Sequence, residues 1–426
     1  MKIKLLIFLT IMLLVGISSY YYLSSREPIG SLDDIMIRNL QEYIRIDTTH
    51  PNPNYQQALC LLESYACRDG FLFKKIMLPS GNPVGIISFL GTDSFKPSLV
   101  LNHHMDVVQA TNVAEWVADP FAAQIIDGNL VGRGVQDMKG IGMVHYFALK
   151  ALKDSGFVPS RTIHILAVPD EEVGGFKGTK EFVNSDIFES LNIGFVIDEG
   201  HASGLDDVLE IKVSERKPIQ IIVHGKGALA HGSHLQNFNV AHELIQFLNF
   251  IVNLHVKSQI ESRTTAPGKL LSLNISSLTA GVRKPDGTVA YNMIPDDAQA
   301  SIDIRVPPTI KKKDVIELLD DAFKKYRHLT YKIMAQADEE PDFSEDETFL
   351  YKELKKTIQS FGYDVKPHYF EASSDLRFYL AKGIDSVGFT PFTIQDNIHG
   401  TDESVPVRQL IKAREIMTEF IRNFTA

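Results

Sequence analysis

The chain has only two cysteines in 426 residues and one tryptophan. Cys60 and Cys67 lie seven positions apart in a stretch of helical spacing, which separates their Cα atoms by roughly 10 Å, beyond disulfide reach. They are expected to be buried thiols. Neither a disulfide framework nor a cysteine zinc site can be built from them, so any metal must be held by histidines and carboxylates. Basic charge is also short: 43 Lys and Arg against 53 Asp and Glu leave a net charge of −10. No basic stripe with interleaved aromatics reverses that balance, which argues against nucleic acid as a partner. There is no internal repeat and no low-complexity tract. What remains, 44% apolar and 23% charged residues, suits a sizeable core and two domains.

The N-terminus carries the longest uncharged run, Leu5–Leu23, with Lys2 and Lys4 before it and Arg26, Glu27 and Asp33 after it. The run reaches the length of a spanning helix, and Tyr20, Tyr21 and Tyr22 suit an interfacial belt. Residues 1–28 are therefore read first as a signal anchor. The alternative is a cleaved signal peptide, with Gly16 and Ser18 before the cut. Both readings send the chain into the secretory pathway, single-pass or secreted, and the anchor implies membrane attachment. The sequons at Asn274 and Asn423 are compatible with either.

From Ser31 the pattern is α/β. "LDDIMIRNLQEYIRI" and "YQQALCLLESYACRDG" repeat apolar residues at helical spacing. Runs of buried-strand length follow at Val84–Leu90, Ser98–His104, Thr162–Val168 and Ile193–Ile197, with the helix "GMVHYFALKALKDSG" among them. Alternating strands and helices predict a mainly parallel, doubly covered sheet. Between about Glu215 and Ala335 the order becomes βαββαβ, that of a ferredoxin-like split unit. It is read as an inserted domain, 215–335, within a domain formed by 31–214 and 336–426. "ADEEPDFSEDE" is read as an exposed return linker.

Several apolar strands end in ligand-type residues. In "LNHHMDVV", His104 and Asp106 share one face of a strand and His103 takes the other. In "GRGVQDMKG", Asp137 occupies a glycine-rich turn leading into a helix. "ILAVPDEEVGG" ends in Asp170, Glu171 and Glu172. Two adjacent glutamates there can divide the work, one ligating a metal while the other takes a proton from water. "FVIDEGHASG" ends in Asp198 and Glu199, and "DNIHGTDESVP" places His399 before the last helix. Taken alone, "LNHHMDVV" and the Asp137 loop are better explained as polar turns; the conjunction of the clusters at the ends of one sheet points to a cation site.

The ordered set "HHMD", "GRGVQDMKG", "PDEEVGG", "DEG", "AHGS", "AYNMIP", "DIRV" and "IHGTDE" resembles the dizinc metallopeptidase family that includes aminoacylases, glutamate carboxypeptidases and carnosinases. The likeness runs from about Ser31 to the end, and "RTIHILAVPDEEVGG" and "VAYNMIP" favour the aminoacylase branch. It implies a zinc-peptidase-like catalytic domain with an inserted lid that dimerises. It further implies two Zn2+ per chain: His104 and Glu199 on one, Glu172 and His399 on the other, and Asp137 bridging. Glu171 is the implied general base and Asp106 the acid residue behind His104. His231 of "AHGS" is the implied oxyanion group for the partner subunit, although His234 follows closely. Asn292, Arg305 and Arg377 are the implied substrate contacts. Asn292 alone could equally shape the turn before Pro295, and Arg305 could form a surface pair.

The activity implied is hydrolysis of N-acyl-L-amino acids by a homodimer. Within the family the alternatives are a secretory carboxypeptidase or dipeptidase, or an N-fatty-acyl amino acid hydrolase or synthase. Outside it, the alternative is a non-catalytic membrane-tethered binding protein. The aminoacylase branch itself implies a cytosolic enzyme, against the reading of the N-terminus.

Overall fold

A computed structural model describes residues 30–336, 348–393 and 397–426. The expected anchor, residues 1–28, and the acidic linker, 337–347, lie outside the described residues. The chain divides into two compact units. One holds the chain up to Ile211 with Thr348–Lys366 and Ile384–Ala426, and the other holds Lys212–Glu347 with Pro367–Gly383. The expected boundaries, near 214 and 335, assigned Pro367–Gly383 to the other unit. Tertiary bonds place it differently: the Arg216 N–H, for example, donates to the Phe370 and Ala372 carbonyls.

In the first unit the sheet runs Leu72–Met77, Pro83–Phe89, Ile163–Val168, Ser98–His104, Ile193–Asp198 and Asp385–Phe389, continued by Val208–Glu215 and Asp364–Phe370. From Ile163–Val168 to Asp385–Phe389 neighbouring strands are parallel, and Leu72–Met77 and Pro83–Phe89 form an antiparallel edge. The fold is α/β. Ser98–His104 and Ile163–Val168 are buried along their whole length, as strands covered on both faces must be. Helix Lys139–Asp154 packs on Ser98–His104 and against helices Leu32–Ile44 and Val407–Thr425. Gly142 permits that approach, since a Cβ there would meet the His103 ring at 2.4 Å. His103 thus faces this helix, and His104 faces the other way, toward the strand-end cluster.

Helix Leu32–Ile44 starts on a capping box, in which Ser31 accepts the Asp34 N–H and Asp34 accepts the Ser31 N–H, satisfying donors that a helix end leaves open. Helix Tyr55–Arg68 corrects the expectation for the cysteines. Its buried stripe is Tyr55, Ala58, Leu59, Leu62, Tyr65 and Ala66. Cys60 and Cys67 share the opposite stripe and are exposed.

The second unit has a four-stranded antiparallel sheet, ordered Ser272–Ala280, Asp297–Val306, Lys217–Lys226, Leu329–Gln336, with helices Val240–Glu261 and Lys312–Phe323. This is a ferredoxin-like arrangement. Its hydrophobic core joins Ile219, Ile221 and Val223 to Leu244, Phe247 and Ile251 of the long helix and Leu319 of the short one. No helix among the described residues is long and apolar enough to cross a membrane.

Candidate metal centre

Parallel pairing brings three strand ends to one edge. His104 lies opposite Val168, and Leu101 opposite Ile197. The carboxylates that follow Val168 and Ile197 therefore emerge beside His104, at the carboxyl edge where open α/β sheets gather ligands.

His104 is buried. Its Nδ1–H donates to the Asp106 carbonyl at 2.9 Å, and Nε2 lies 2.8 Å from Asp137 Oδ1 and 3.1 Å from Glu199 Oε2. An imidazole held by Nδ1 in this way offers its Nε2 lone pair to a metal. Asp137 divides its oxygens, since Oδ2 lies 2.9 Å from His399 Nε2. His399 Nε2 is also 3.5 Å from Glu172 Oε2, and Glu172 Oε1 is buried without a hydrogen-bond partner. Two overlapping donor sets, His104–Glu171–Glu199 and His104–Asp137–Glu172, each gather within 4.8 Å.

The electrostatics match a cation site. Burial, reinforced by the charge of Asp137, holds the Glu172 carboxyl well above the usual carboxylate range. Burial also works to raise Asp137, but hydrogen bonds from His104 and His399 outweigh it and hold that carboxyl far below. Burial opposes charge on His104, yet its bonds to Asp137 and Glu199 keep the ring well above the ordinary histidine range. The bond to Asp137 pushes His399 up to about 9. Crowded carboxylates that draw protons onto two imidazoles, with one buried oxygen still unpartnered, fit binding of divalent metal.

Residues without a ligand role hold this geometry. Asp106, fully buried, receives the Glu171 N–H on Oδ1 at 3.3 Å and the Glu172 N–H on Oδ2 at 3.0 Å. Its carboxylate is 3.9 Å from His104 Nδ1, so it is the backbone carbonyl of Asp106 that orients the imidazole. Asp170 makes the turn: it adopts a left-handed φ of 75°, which Asp tolerates better than most residues. Its Oδ2 accepts the Lys177 N–H at 2.8 Å, and Gly174 and Gly175, also at positive φ, complete the bend.

Sequence reasoning missed Arg133 and Glu403. Both are buried, and they pair at 2.7 Å. Glu403 also accepts the N–H groups of Gly134, Gln136 and Asp137, while Arg133 donates to the Gly400 carbonyl. The pair ties the Asp137 loop to the His399 loop. The available signal was that "GRGVQDMKG" and "IHGTDE" each carry a charge with no assigned task.

The remaining candidates belong to the second unit. The strands Ala230–His231 and Met293–Ile294 pair and bring Asn292 Nδ2 to 3.3 Å from His231 Nε2 on an exposed tip. His231 Nδ1 is 2.7 Å from the Ser233 hydroxyl. The His234 ring stands 6.0 Å from that of His231. Arg305 is engaged with Asp303 on its own strand at 2.8 and 3.1 Å. Arg377 is buried, donates to the Ser374 carbonyl and lies 3.9 Å from Glu215. Glu215 in turn accepts the Ser374 N–H and hydroxyl.

With this fold and this donor set, the chain belongs to Peptidase family M20/M25/M40, whose model matches residues 100–423, and it is a metal-dependent amidohydrolase. Within that family it is aminoacylase-1-like. It is 31% identical to Aminoacylase-1 of Sus scrofa over 394 residues, covering 89% of this chain and 93% of that protein. It is 30% identical to Aminoacylase-1 of Homo sapiens over 388 residues, covering 89% and 93%. Among solved structures it resembles a metallo-carboxypeptidase of the same family from Sulfolobus solfataricus, with a TM-score of 0.68 and 17% identity over 91% of this chain and 98% of that one. Human carnosine dipeptidase 1 gives 0.62 and 18% over 91% and 96%; both show the fold alone.

These relatives overturn the expected localisation. Aminoacylase-1 enzymes are cytosolic, and the likeness to them covers 89% of this chain. The secretory and membrane-attached readings are withdrawn; they rested on the apolar run Leu5–Leu23 with its charged flanks, its tyrosines and its small residues, features of local sequence that do not by themselves identify a targeting segment.

Proposed function

We propose that the chain hydrolyses N-acyl-L-amino acids to a carboxylate and a free L-amino acid, with two Zn2+ per chain. The observation that carries the metal assignment is the division of Asp137, one oxygen toward His104 and the other toward His399. On this reading Asp137 bridges, Glu199 completes the His104 side and Glu172 the His399 side. When bound, the metal pair supplies Lewis-acid polarisation of the amide carbonyl and of the attacking water. Glu171, next to the ligand Glu172 on the same turn, takes the proton of that water as oxygen adds to the carbonyl carbon. It then returns the proton to nitrogen as the C–N bond breaks. Asp106 holds both glutamates by their N–H groups.

The proposal extends to the second unit as a lid that dimerises, with His231 of the partner subunit stabilising the oxyanion and Asn292, Arg305 and Arg377 contacting substrate. Support comes from the exposed His231–Asn292 tip, from the outer position of strand Ser272–Ala280, and from exposed Ile245, Val252, Val256 and Ile260 on the long helix.

The test is metal analysis beside a panel of N-acetyl, long-chain N-acyl and dipeptide substrates. Turnover of N-acyl-L-amino acids with two zinc ions per chain is expected. Glu171→Gln should keep both ions and lose about a thousandfold in kcat. Dipeptide turnover alone would overturn the substrate assignment, and a fully active Glu171→Gln would overturn the base.

A further inference from the structure

The segment Thr48–Tyr55 supplies no metal ligand, yet it meets the turn that carries the two glutamates. His50 Nε2 lies 3.2 Å from Asp106 Oδ2 and 3.4 Å from the Tyr55 hydroxyl. That hydroxyl accepts the Asp170 N–H at 3.0 Å, while Asp106 accepts the N–H groups of Glu171 and Glu172. Three consecutive N–H groups, of residues 170, 171 and 172, therefore end on one His50–Asp106–Tyr55 cluster. Backbone groups fixed together in this way fix the directions of the side chains between them.

We propose that His50 is a positioning residue: by holding the Asp106 carboxylate, it aims Glu171 at the reacting water and Glu172 at its metal. The inference rests on the roles given above to Glu171 and Glu172. Asp106 is fully buried, and His50 is the side chain that donates to its Oδ2. Without that donor the carboxylate keeps only its two backbone partners, and it gains freedom to rotate away from them. The Tyr55 hydroxyl accepts the Asp170 N–H and meets His50, so it serves the same turn beside His50. The His50 side chain keeps 24% of its surface exposed, so the contact can be removed without opening the core.

The experiment uses the full chain with His50→Ala and His50→Gln, the glutamine having an amide N–H that reaches the same oxygen. Zinc affinity is measured by competition with a chromophoric chelator, and kcat and KM with an N-acetyl-L-amino acid. His50→Ala should weaken the looser zinc about tenfold and lower kcat about tenfold, with KM within about twofold. His50→Gln should restore both to within about threefold. Unchanged zinc affinity and kcat in His50→Ala, a loss confined to KM, or a glutamine variant as poor as alanine would each overturn the positioning role. If the wild-type chain hydrolyses no N-acyl amino acid, the substrate reading fails, and the zinc titration still decides the role of His50.

Discussion

The candidate residues of the two units are held in different ways. In the first unit each rests on a buried partner: His104 on the Asp106 carbonyl, the glutamate pair on the Asp106 carboxylate, and the Asp137 loop on Glu403. In the second, His231 and Asn292 hold one another on an exposed tip, while Arg377 rests on Ser374 and beside Glu215 in the interior. The metal centre is thus built on buried polar partners, whereas the tip is held by its own two side chains. Geometry at the centre depends on the interior, and geometry at the tip does not.

The largest effect that would sharpen this contrast is at Asp137. Asp137→Ala removes the carboxylate shared by two imidazoles, so hydrolysis should fall to background and metal analysis should find fewer than two ions per chain. Retention of both ions would break the bridging assignment. Next comes stability. Glu403→Gln leaves the buried Arg133 guanidinium without its counter-charge, which should cost about 3 kcal/mol or more in urea unfolding. His231→Ala, on the exposed tip, should change stability by no more than about 0.5 kcal/mol while lowering kcat about a hundredfold. If the two variants exchanged these signatures, the distinction between the units would be wrong.

The smallest effect concerns His145, whose ring nitrogens are both buried without partners. Burial pulls its pKa down to about 3, below the value of about 6.5 in an unfolded chain. A buried histidine with a depressed pKa carries no ionisation penalty above the unfolded value, so stability is highest there and falls as the unfolded chain takes up the proton. The penalty grows as pH falls from about 6.5 toward 3. His145→Leu should therefore raise stability by about 1 kcal/mol at pH 7 and flatten the acid limb of a thermal-melting profile, with no change in activity. A mutant curve parallel to wild type would remove His145 from the explanation.

Much of the first unit was legible because its buried strands are continuous apolar runs that stop at ligand-type residues. Ser98–His104 was expected with the same limits, and Ile163–Val168 within one residue. Strands that do not read this way were missed. "LFKKIM" at Leu72–Met77 is mostly exposed on an antiparallel edge, "VLEIKVSE" alternates with charge, and "DVKPHYF" contains proline. His104, Asp137, Glu171, Glu172, Glu199 and His399 do converge. The residues that hold them were not legible, because Arg133 and Glu403 are 270 positions apart and no local pattern joins them. The same holds for Pro367–Gly383: its helix and strand periodicity is ordinary, and only tertiary bonds assign it to the second unit. The cysteines were misjudged because residue type was used where helical register decides.

The Arg133–Glu403 latch is also a long-range closure. Each bond that secures the Asp137 loop through this pair reaches Gly400 or Glu403, 266 to 270 positions along the chain. A contact of that separation carries a large loop-closure cost, so the loop that presents Asp137 is fastened only when distant parts of the first unit have come together.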